Sequence, residues 1–585
     1  MSQLADKRFR EPKSLIRFHE ALLFFRAFPP GPSLIPVLEE ALRSFHQRVE
    51  RLRRAGADMS AFDDFDTSGI AGTVMQDALN FGAVRWLARR IPRHIEIAWD
   101  DYLDDSQNER ALGTIWPRIM PLLAEDAEVE ANIPWKLWLD SARGQERPLE
   151  WLLRRFEHLA IKGVLRDALE SASIYVDKDG GRRAETKGAQ TAQEKQFARN
   201  QKDRARAALY DSLRLPVRWS LENLALSRTR NWRRPRAFYY HREPLITRSQ
   251  VSLARELSPP AAALTRLSRS DGESVMNCIR EVMAVRYREL YGTTLGDPRS
   301  VVRANLGSGN MGRGVVIHLW NVPPGRRLPL RAYIAGFTLK NGVPINYIEA
   351  IGLCEWIEVG FNTFYTYRRG ETAWIYTQVL RCLCAFTGAR VISVYPYQIG
   401  QNNDEAIDSG AFWFYRKLGF RSGRADLEQL ALSEEQKIAA SREYRAPKRI
   451  LRQLAEAHVF YELPGRPRGE WDDFSIRNLA LRVNRRMARE FNGDSVSIRR
   501  ASVVAVSRAL GMEPSCWNPA ERNAFENWSL VLALFRDLGR WSAREKQDLA
   551  QIIRAQVAPS EMRYLRLTQL HPRLRAELLR LGSNP

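Results

Sequence analysis

The sequence predicts an α+β protein in which a central mixed β-sheet with helices is flanked by largely helical N-terminal and C-terminal regions. Apolar and β-branched runs of strand length concentrate between residues 300 and 425. Apolar residues at helical spacing dominate the chain before and after them. At 585 residues the chain is too long for a single core. The expected regions are an N-terminal helical region (1–176), a basic linker or arm (177–270), a central domain (271–428) and a C-terminal helical region (429–585).

The N-terminal region shows helical periodicity in three places. Leu15–Phe28 ends at a Pro-Pro-Gly-Pro run, and Leu34–Leu52 follows Ser33, a plausible N-cap. The turn-forming residues before Ile70 predict a third helix, Ile70–Arg90. Four further tryptophans are expected to contribute mostly to a core. These are Trp116, Trp135, Trp138 and Trp151.

A basic stretch follows this helical region. The chain carries a net charge of +22, and residues 151–250 account for +11 of it. Residues 177–207 are polar and contain few apolar anchors, so they predict a linker or exposed arm. The next cluster of arginines around a tryptophan suits phosphates and base stacking, but it suits a solvated face or a coil packed on acidic neighbours equally well. The candidate nucleic-acid contacts are Arg228, Arg230, Trp232, Arg233, Arg234 and Arg236.

The central region alternates helix and strand patterns. A helix is predicted over Gly272–Tyr291, before a β-branched run at Val315–Trp320. Asn341-Gly342 predicts a tight hairpin between two further strands. Trp356–Tyr367 is a strand candidate in which Gly360 marks a bulge or a close backbone approach. Helix Glu371–Phe386 and strand Val391–Tyr395 follow. After residue 430 the pattern returns to helices whose apolar faces predict packing against the body of the protein.

Composition limits the compartment and the inorganic chemistry. No apolar run reaches the roughly 18 residues of a membrane span. Met1–Glu11 is charged and lacks the apolar core of a signal peptide. We therefore expect a cytoplasmic protein without a membrane span. The five cysteines show no metal-binding spacing, which predicts buried free thiols and no metal.

Two segments of the central region carry a resemblance to a known family. The first is Tyr367-Arg368-Arg369-Gly370-Glu371-Thr372-Ala373, directly before the predicted helix. The second joins Asn403-Asp404-Glu405-Ala406 to Tyr415-Arg416-Lys417-Leu418-Gly419-Phe420. Over about residues 270–425 these segments and the order of elements resemble the GNAT acetyltransferase superfamily. The first segment is one residue out of register with the family's pyrophosphate loop. The second contains an insertion of five residues between its two halves.

The resemblance implies an acyl-CoA-dependent N-acyltransferase that transfers an acyl group, most simply from acetyl-CoA, directly to an unknown amine. Tyr415 would be the general acid for the departing thiolate, and Glu349 or Glu358 the general base, with Glu355 as a further candidate. The backbone of Phe364, Tyr365 and Thr366 would polarise the thioester carbonyl. The other implied contacts to acetyl-CoA are Arg368, Arg369, Gly370, Glu371, Thr372, Ala373 and Asn403.

Two other functions remain open at the level of sequence. The central domain could be a non-catalytic GNAT-like module that binds nucleic acid through the basic region, as the charge favours. It could also be a tRNA-dependent aminoacyl transferase, since some transferases with this fold use that donor. The chain contains no Walker loop, no Gly-x-Ser-x-Gly and no His-Glu-x-x-His, so these motifs suggest no competing chemistry.

Overall fold

The protein is a mixed α+β structure with a large mixed sheet, which confirms the predicted class at that level. A computed structural model describes residues 9–98, 214–257, 262–306 and 312–583, without residues 65, 289, 291, 466 and 467 and with the isolated positions 101, 207, 210 and 211. The four tryptophans Trp116, Trp135, Trp138 and Trp151 and nearly all of the 177–207 arm lie outside these residues. The chain forms two compact units: unit one comprises Met1–Arg236, Met276–Leu295 and Asn341–Pro344, and unit two comprises Ala237–Val275, Gly296–Lys340 and Ile345–Pro585.

The helices of the described residues are α1 (Pro12–Ala27), α2 (Leu34–Arg43), α3 (Phe45–Arg54), α4 (Phe81–Arg90), α5 (Leu253–Glu256), α6 (Arg269–Arg286), α7 (Thr372–Thr387), α8 (Pro396–Ile399), α9 (Asp404–Ser409), α10 (Ala411–Arg416), α11 (Ala425–Ala440), α12 (Lys448–Leu454), α13 (Ile476–Phe491), α14 (Ser495–Leu510), α15 (Pro519–Leu532), α16 (Ala543–Ala555), α17 (Glu561–Gln569) and α18 (Pro572–Gly582).

The strands are β1 (Val74–Asp77), β2 (Ile95–Ile97), β3 (Val217–Ser220), β4 (Ala263–Arg266), β5 (Val302–Asn305), β6 (Val315–Asn321), β7 (Ala332–Lys340), β8 (Val343–Leu353), β9 (Trp356–Thr363), β10 (Val391–Val394), β11 (Arg421–Ser422) and β12 (Val459–Glu462).

Unit one corrects one predicted helix. Residues 70–90 do not form a single helix, because β1 occupies the first part of the range and pairs antiparallel with β3. β2 pairs with the other edge of β3, so the fully buried Trp219 faces partners on both strands. The helix begins only at Phe81, where the Asn80 side chain accepts a hydrogen bond from the Ala83 amide at 2.9 Å. Pairing with a strand about 140 residues away overrides the local helical pattern.

Unit one also places the basic segment that was a candidate for nucleic-acid binding. Arg228 is 1% exposed, pairs with Glu20 at 2.8 Å and donates to two backbone carbonyls. Arg233 pairs with the buried Glu281 at 2.7 Å. The Trp232 indole donates to the Thr229 carbonyl and lies under the Arg26 guanidinium. Arg228 is therefore not available to a phosphate, because internal groups already satisfy it.

The remaining members of that segment are more accessible. Arg230 is partly buried and donates to the Asn223 side chain at 2.6 Å. Arg234 and Arg236 are exposed. The segment thus contributes mainly to internal packing of unit one, with two accessible arginines at its end.

Unit two contains the large sheet, in the order β11-β12-β10-β9-β8-β7-β6-β5-β4. β9 and β10 run parallel, whereas the pairs β4–β5, β5–β6, β6–β7, β8–β9, β10–β12 and β11–β12 are antiparallel. The predicted Asn-Gly hairpin between β7 and β8 is confirmed. Asn341 has φ 46° and Gly342 has φ 79°, which are the positive values that a two-residue turn of this kind requires.

Helix α7 packs on one face of this sheet. It is buried around most of its circumference, and it lies against β6 on one side and α17 on another. The Tyr376 ring of α7 packs on the Phe361 ring of β9, with centroids 4.9 Å apart. A helix enclosed in this way needs apolar residues on all sides, which explains why its sequence shows only weak amphipathic character. Four of the five cysteines are buried free thiols, two of them on α7, and Cys516 is exposed.

The C-terminal helices pack against the sheet, as their apolar faces predict. Arg575 of α18 binds the buried carboxylate of Glu355, which also accepts from the Trp471 indole at 3.1 Å. The Trp356 and Trp471 rings stack with centroids 5.2 Å apart. Within the described part of the chain, no helix is long and apolar enough to cross a membrane.

Candidate active site

The two parallel strands at the centre of the sheet stop pairing before β9 ends. Their register is Trp356 with Val391, Ile357 with Ile392 and Glu358 with Ser393. β10 ends at Val394, but β9 continues to Thr363. The last residues of β9 therefore have a partner strand on the β8 side only. This leaves a cleft in the middle of the sheet, bordered by the end of β9 and the exit of β10.

Backbone amides of β9 point into this cleft. The Phe364 amide donates to the Ile345 carbonyl of β8 at 3.0 Å. In an antiparallel pair the hydrogen-bonding groups of successive residues point alternately toward and away from the partner strand. The amides of Thr363 and Phe361 therefore point away from β8, toward the cleft. The Phe364 amide, a predicted donor, is therefore already hydrogen-bonded within the sheet. The amides that point toward the cleft are those of Phe361 and Thr363.

Three buried polar groups lie at the end of the cleft on the α7 side of the sheet. Asn346 and Thr363 are cross-strand partners there, and Tyr376 reaches the same face from α7. The Asn346 amide and the hydroxyls of Thr363 and Tyr376 have no hydrogen-bond partner among the described residues. Unpaired buried polar groups are costly, so their concentration here marks a site that would accept polar atoms of a ligand.

Tyr415 lies on this same side. It is 4% exposed, and its ring packs edge-on against Tyr376 with centroids 5.6 Å apart. No described residue hydrogen-bonds its hydroxyl. Burial raises the pKa of Tyr415, so the hydroxyl stays protonated at neutral pH and can donate a hydrogen bond.

The opposite face of the sheet carries an acid–base pair. Glu358 accepts a hydrogen bond from His458 Nε2 at 2.9 Å and from Arg331 at 3.2 Å. Burial alone would raise the pKa of Glu358, but these two partners outweigh it and hold the pKa below its usual value. A neutral imidazole that donates Nε2–H to a carboxylate presents the lone pair of Nδ1. His458 precedes β12, is 28% exposed at its side chain and was not predicted from the sequence.

The two other predicted carboxylates differ in their surroundings. Glu349 pairs with Gly360 across β8 and β9, which places it on the same face as Glu358. Its carboxylate accepts a hydrogen bond from the Tyr333 hydroxyl. Glu355 instead lies in the turn before β9, buried and held by Arg575 and Trp471. Glu355 therefore connects the C-terminal helices to the sheet. Glu349 and Glu358 both lie on the face of the sheet opposite α7.

The start of α7 has three backbone amides that precede its first intrahelical hydrogen bond. The first intrahelical hydrogen bond runs from the Ile375 amide to the Glu371 carbonyl, so the amides of Thr372, Ala373 and Trp374 precede it. Such amides and the helix dipole favour a bound anion. Arg369 and Gly370 lie just before them, and Arg369 is exposed.

Other residues of the predicted loop are held by internal contacts. Arg368 pairs with Glu405 of α9 and donates to the Thr363 carbonyl at 3.3 Å. Tyr365 is 54% exposed, and the Arg368 guanidinium lies over its ring. Thr366 belongs to the same short 3₁₀ turn. The loop is thus a compact turn that joins β9 to α7 rather than an open arm.

Glu371 is the N-cap of α7 but does not face solvent. It is fully buried, ion-paired with Arg313 and with Lys340 at 3.2 Å, and it accepts from the Ile246 amide at 3.1 Å. Two cations neutralise its charge, so Glu371 does not leave a net negative charge at the anion-binding end of α7. The burial lowers the pKa of Lys340 to about 8.

The structure shows which elements contain the five-residue insertion between the two halves of the second segment, Asn403–Ala406 and Tyr415–Phe420. Asn403 caps α9, accepting from the Ala406 amide at 3.1 Å and donating to the Tyr397 carbonyl at 3.0 Å. α9 then ends at Gly410, whose φ of 66° allows the chain to turn and begin α10. The residues between Ala406 and Tyr415 therefore form the end of α9, the turn at Gly410 and the start of α10. Asn403 organises this turn through its side chain.

Among the described residues, no group of His, Cys, Asp or Glu has the arrangement of a metal site. The chain matches no protein-family profile, and no curated protein and no solved structure is detectably similar to it.

Proposed function

We propose that this chain is an acyl-CoA-dependent N-acyltransferase with a GNAT-like central domain. The observation that carries the proposal is the cleft between β9 and β10, with the Tyr415 hydroxyl on one face of the sheet and the Glu358–His458 pair on the other. The parallel pair inside an otherwise antiparallel sheet and the helix that follows β9 support the same assignment. The acyl donor would most simply be acetyl-CoA.

The donor would be held by groups that point toward the cleft and its α7 end. The amides at the start of α7, with Arg369 beside them, suit a pyrophosphate. The unpartnered Asn346, Thr363 and Tyr376 groups suit the amides of an extended pantetheine chain. The Phe361 and Thr363 amides would donate to the thioester carbonyl and stabilise the charge that develops on its oxygen.

The acceptor amine would approach from the Glu358–His458 face. His458 Nδ1 takes a proton from the amine, and the ionised Glu358 stabilises the imidazolium that forms. The amine nitrogen forms a bond to the carbonyl carbon while the carbon–sulfur bond breaks. Tyr415 donates a hydrogen bond to the departing sulfur, which stabilises the developing thiolate. The proton that His458 took from the amine then passes through solvent to the thiolate, so the products are an amide, a free thiol and a neutral imidazole, and atoms and charge balance without a further reactant.

Acetyl-CoA binding is the direct test of this assignment. At a ligand concentration about 100-fold above Kd, binding to the folded state stabilises by about 2.7 kcal/mol. We expect 1 mM acetyl-CoA to raise the melting temperature by about 5 °C in a thermal-shift assay, for a site with a Kd of about 10 μM. ATP at the same concentration is the control for a general anion effect. The absence of a shift at millimolar acetyl-CoA, or an equal shift with ATP, contradicts the proposal.

His458→Ala is expected to lower the rate of acyl transfer by about 10²–10³-fold, because a positioned base contributes this much. The readout specific to a base is rescue by added imidazole. The matched control is His94→Ala, which removes another histidine that pairs with a glutamate, Glu222, at 3.3 Å in unit one. Loss of activity without imidazole rescue would instead indicate a structural role for His458.

A further inference from the structure

Helices α13 and α14 form a hairpin of two 16-residue helices on the C-terminal part of unit two. They are joined by the three residues Asn492, Gly493 and Asp494, of which the first two have positive φ. Asp494 caps α14 by accepting from the Val496 amide at 2.9 Å. Arg486 of α13 donates to the Ser502 hydroxyl of α14 at 3.0 Å and so fixes the two helices to each other. Two helices with a short glycine-containing turn have the form of a helix-turn-helix.

The hairpin is the most basic compact element of the described C-terminal region. Residues 476–510 contain eight arginines and two carboxylates, a net charge of +6, out of +9 for residues 431–585. Three of these arginines are partly buried and have internal partners: Arg482 at the Leu581 carbonyl, Arg486 at Glu490 and Arg499 at Asn527. The other five are exposed, and no carboxylate of the described residues pairs with them; Arg489 donates to the Arg485 carbonyl of its own helix at 3.4 Å. They are Arg477, Arg485, Arg489, Arg500 and Arg508.

Helix α14 has two distinct faces. Its core face repeats every four residues and is buried; it consists of Ile498, Ser502, Val506 and Leu510. The opposite face has the same spacing and alternates valine with arginine; it consists of Val496, Arg500, Val504 and Arg508. Val504 is 53% exposed and Val496 is 39% exposed. Exposed valines between unpaired arginines are not needed for folding, so this face is suited to a partner.

We infer that the α13–α14 hairpin binds double-stranded DNA, with the exposed face of α14 in the major groove. A helix with its side chains is about 10–12 Å across, and the major groove of B-DNA is about 12 Å wide. Arginine forks bind guanine edges and phosphates in a bidentate manner, and small apolar side chains contact the thymine methyl group. Arg500 and Arg508 with Val504 supply these groups on one face of α14.

The arginines of α13 would set the position of the hairpin on the duplex. Arg485 and Arg489 are one turn apart, about 6 Å along the helix axis, and both are exposed. Contacts of this type go to the phosphate backbone and fix the register without reading sequence. The net attraction is electrostatic, so the affinity for DNA must fall steeply as the salt concentration rises.

Duplex DNA fits this surface better than the two other anionic partners. The major groove of A-form RNA is too narrow for side chains of a helix to read. An amphipathic helix that inserts into a bilayer needs a broad apolar face, but the exposed face of α14 presents only two valines.

The test uses the full-length protein and fluorescence anisotropy with a fluorescein-labelled 20-base-pair DNA duplex. We expect binding whose logarithm of affinity falls linearly with the logarithm of salt concentration, with a slope near −4 for about four phosphate contacts. Arg485→Glu/Arg489→Glu and Arg500→Glu/Arg508→Glu should each weaken binding at least tenfold and flatten the slope. Arg89→Glu/Arg93→Glu removes the same charge from two exposed arginines of unit one and should change affinity less than threefold.

Folding of each variant is checked by its thermal melting curve. Should a charge reversal fail to fold, Arg500→Ala/Arg508→Ala replaces it, with at least a fivefold loss expected. Equal losses in the hairpin and control variants would overturn the inference, because they would mean that only net charge matters. Tighter binding to an RNA duplex of the same sequence, or to vesicles with anionic lipid, would also overturn it. Failure of acetyl-CoA binding would leave this inference intact, since no residue of the hairpin belongs to the cleft.

Discussion

Replacing Tyr415 by phenylalanine is expected to lower the turnover of acyl transfer by about 10²–10³-fold while leaving acetyl-CoA binding and folding unchanged. The hydroxyl has no hydrogen-bond partner among the described residues, so its removal costs no internal interaction. The ring keeps its packing against Tyr376 and Phe420. The only loss is the donor to the departing sulfur, which acts in the transition state and not in the bound ground state.

The measurement is the rate of free CoA release with a thiol reagent, over a panel of primary amines, beside a thermal-shift titration of acetyl-CoA. Tyr461→Phe is the matched control, because Tyr461 contacts the same Phe420 ring from β12 and is half-buried. We expect its turnover to stay within twofold of the wild type. Unchanged turnover in Tyr415→Phe would remove this residue from the mechanism. A loss seen only in Tyr376→Phe would reassign the donor to the neighbouring hydroxyl.

Replacing Glu371 by alanine is expected to destabilise unit two by about 3–5 kcal/mol, the usual cost of leaving a buried charge without its partner. Lys340 and Glu371 are fully buried, and Arg313 is 12% exposed at its side chain. Removing the carboxylate leaves two buried cations facing each other at the start of α7. The change is measured as the shift of the urea midpoint by circular dichroism.

The control is Glu405→Ala, which breaks the ion pair with Arg368 on the surface, where the two side chains are 60% and 41% exposed. An exposed pair of this kind contributes about 0–1 kcal/mol. Equal midpoints for the Glu371 and Glu405 variants would show that the buried network is not needed for stability.

The buried network also has a predicted pH dependence. Burial acts to raise the pKa of Glu371, but the hydrogen bond from Arg313 and the charge of Lys340 outweigh it, so the pKa lies below its ordinary value of 4.5. A lowered folded-state pKa contributes stability above the ordinary value, and this contribution is lost as pH falls through the folded-state pKa. The difference in midpoint between the wild type and the Glu371 variant should therefore narrow below about pH 4.5.

Local features of the fold could be predicted because neighbouring residues encode them. Asn341-Gly342 gives a two-residue turn because both positions tolerate positive φ. The helical spacing of Glu371–Phe386 predicts α7, and four of the five cysteines are the buried free thiols that their spacing predicts. The order of helices and strands in the central region could be predicted as well. The predicted helix at residues 70–90 failed because a distant strand, β3, competes for the same residues.

The sequence by itself determined the α+β class of the fold, the central strands and the hairpin turn. Only the tertiary structure decided which groups meet. It brought His458 into hydrogen-bond contact with Glu358, 100 residues away in the chain. It also bonded the Phe364 amide within the sheet, so that the amides of Phe361 and Thr363 point toward the cleft. It also buried Arg228 and left five exposed arginines of α13 and α14 without a carboxylate partner among the described residues. Turns and periodicity depend on adjacent residues, but hydrogen-bond register and ion pairing depend on residues that only folding brings together.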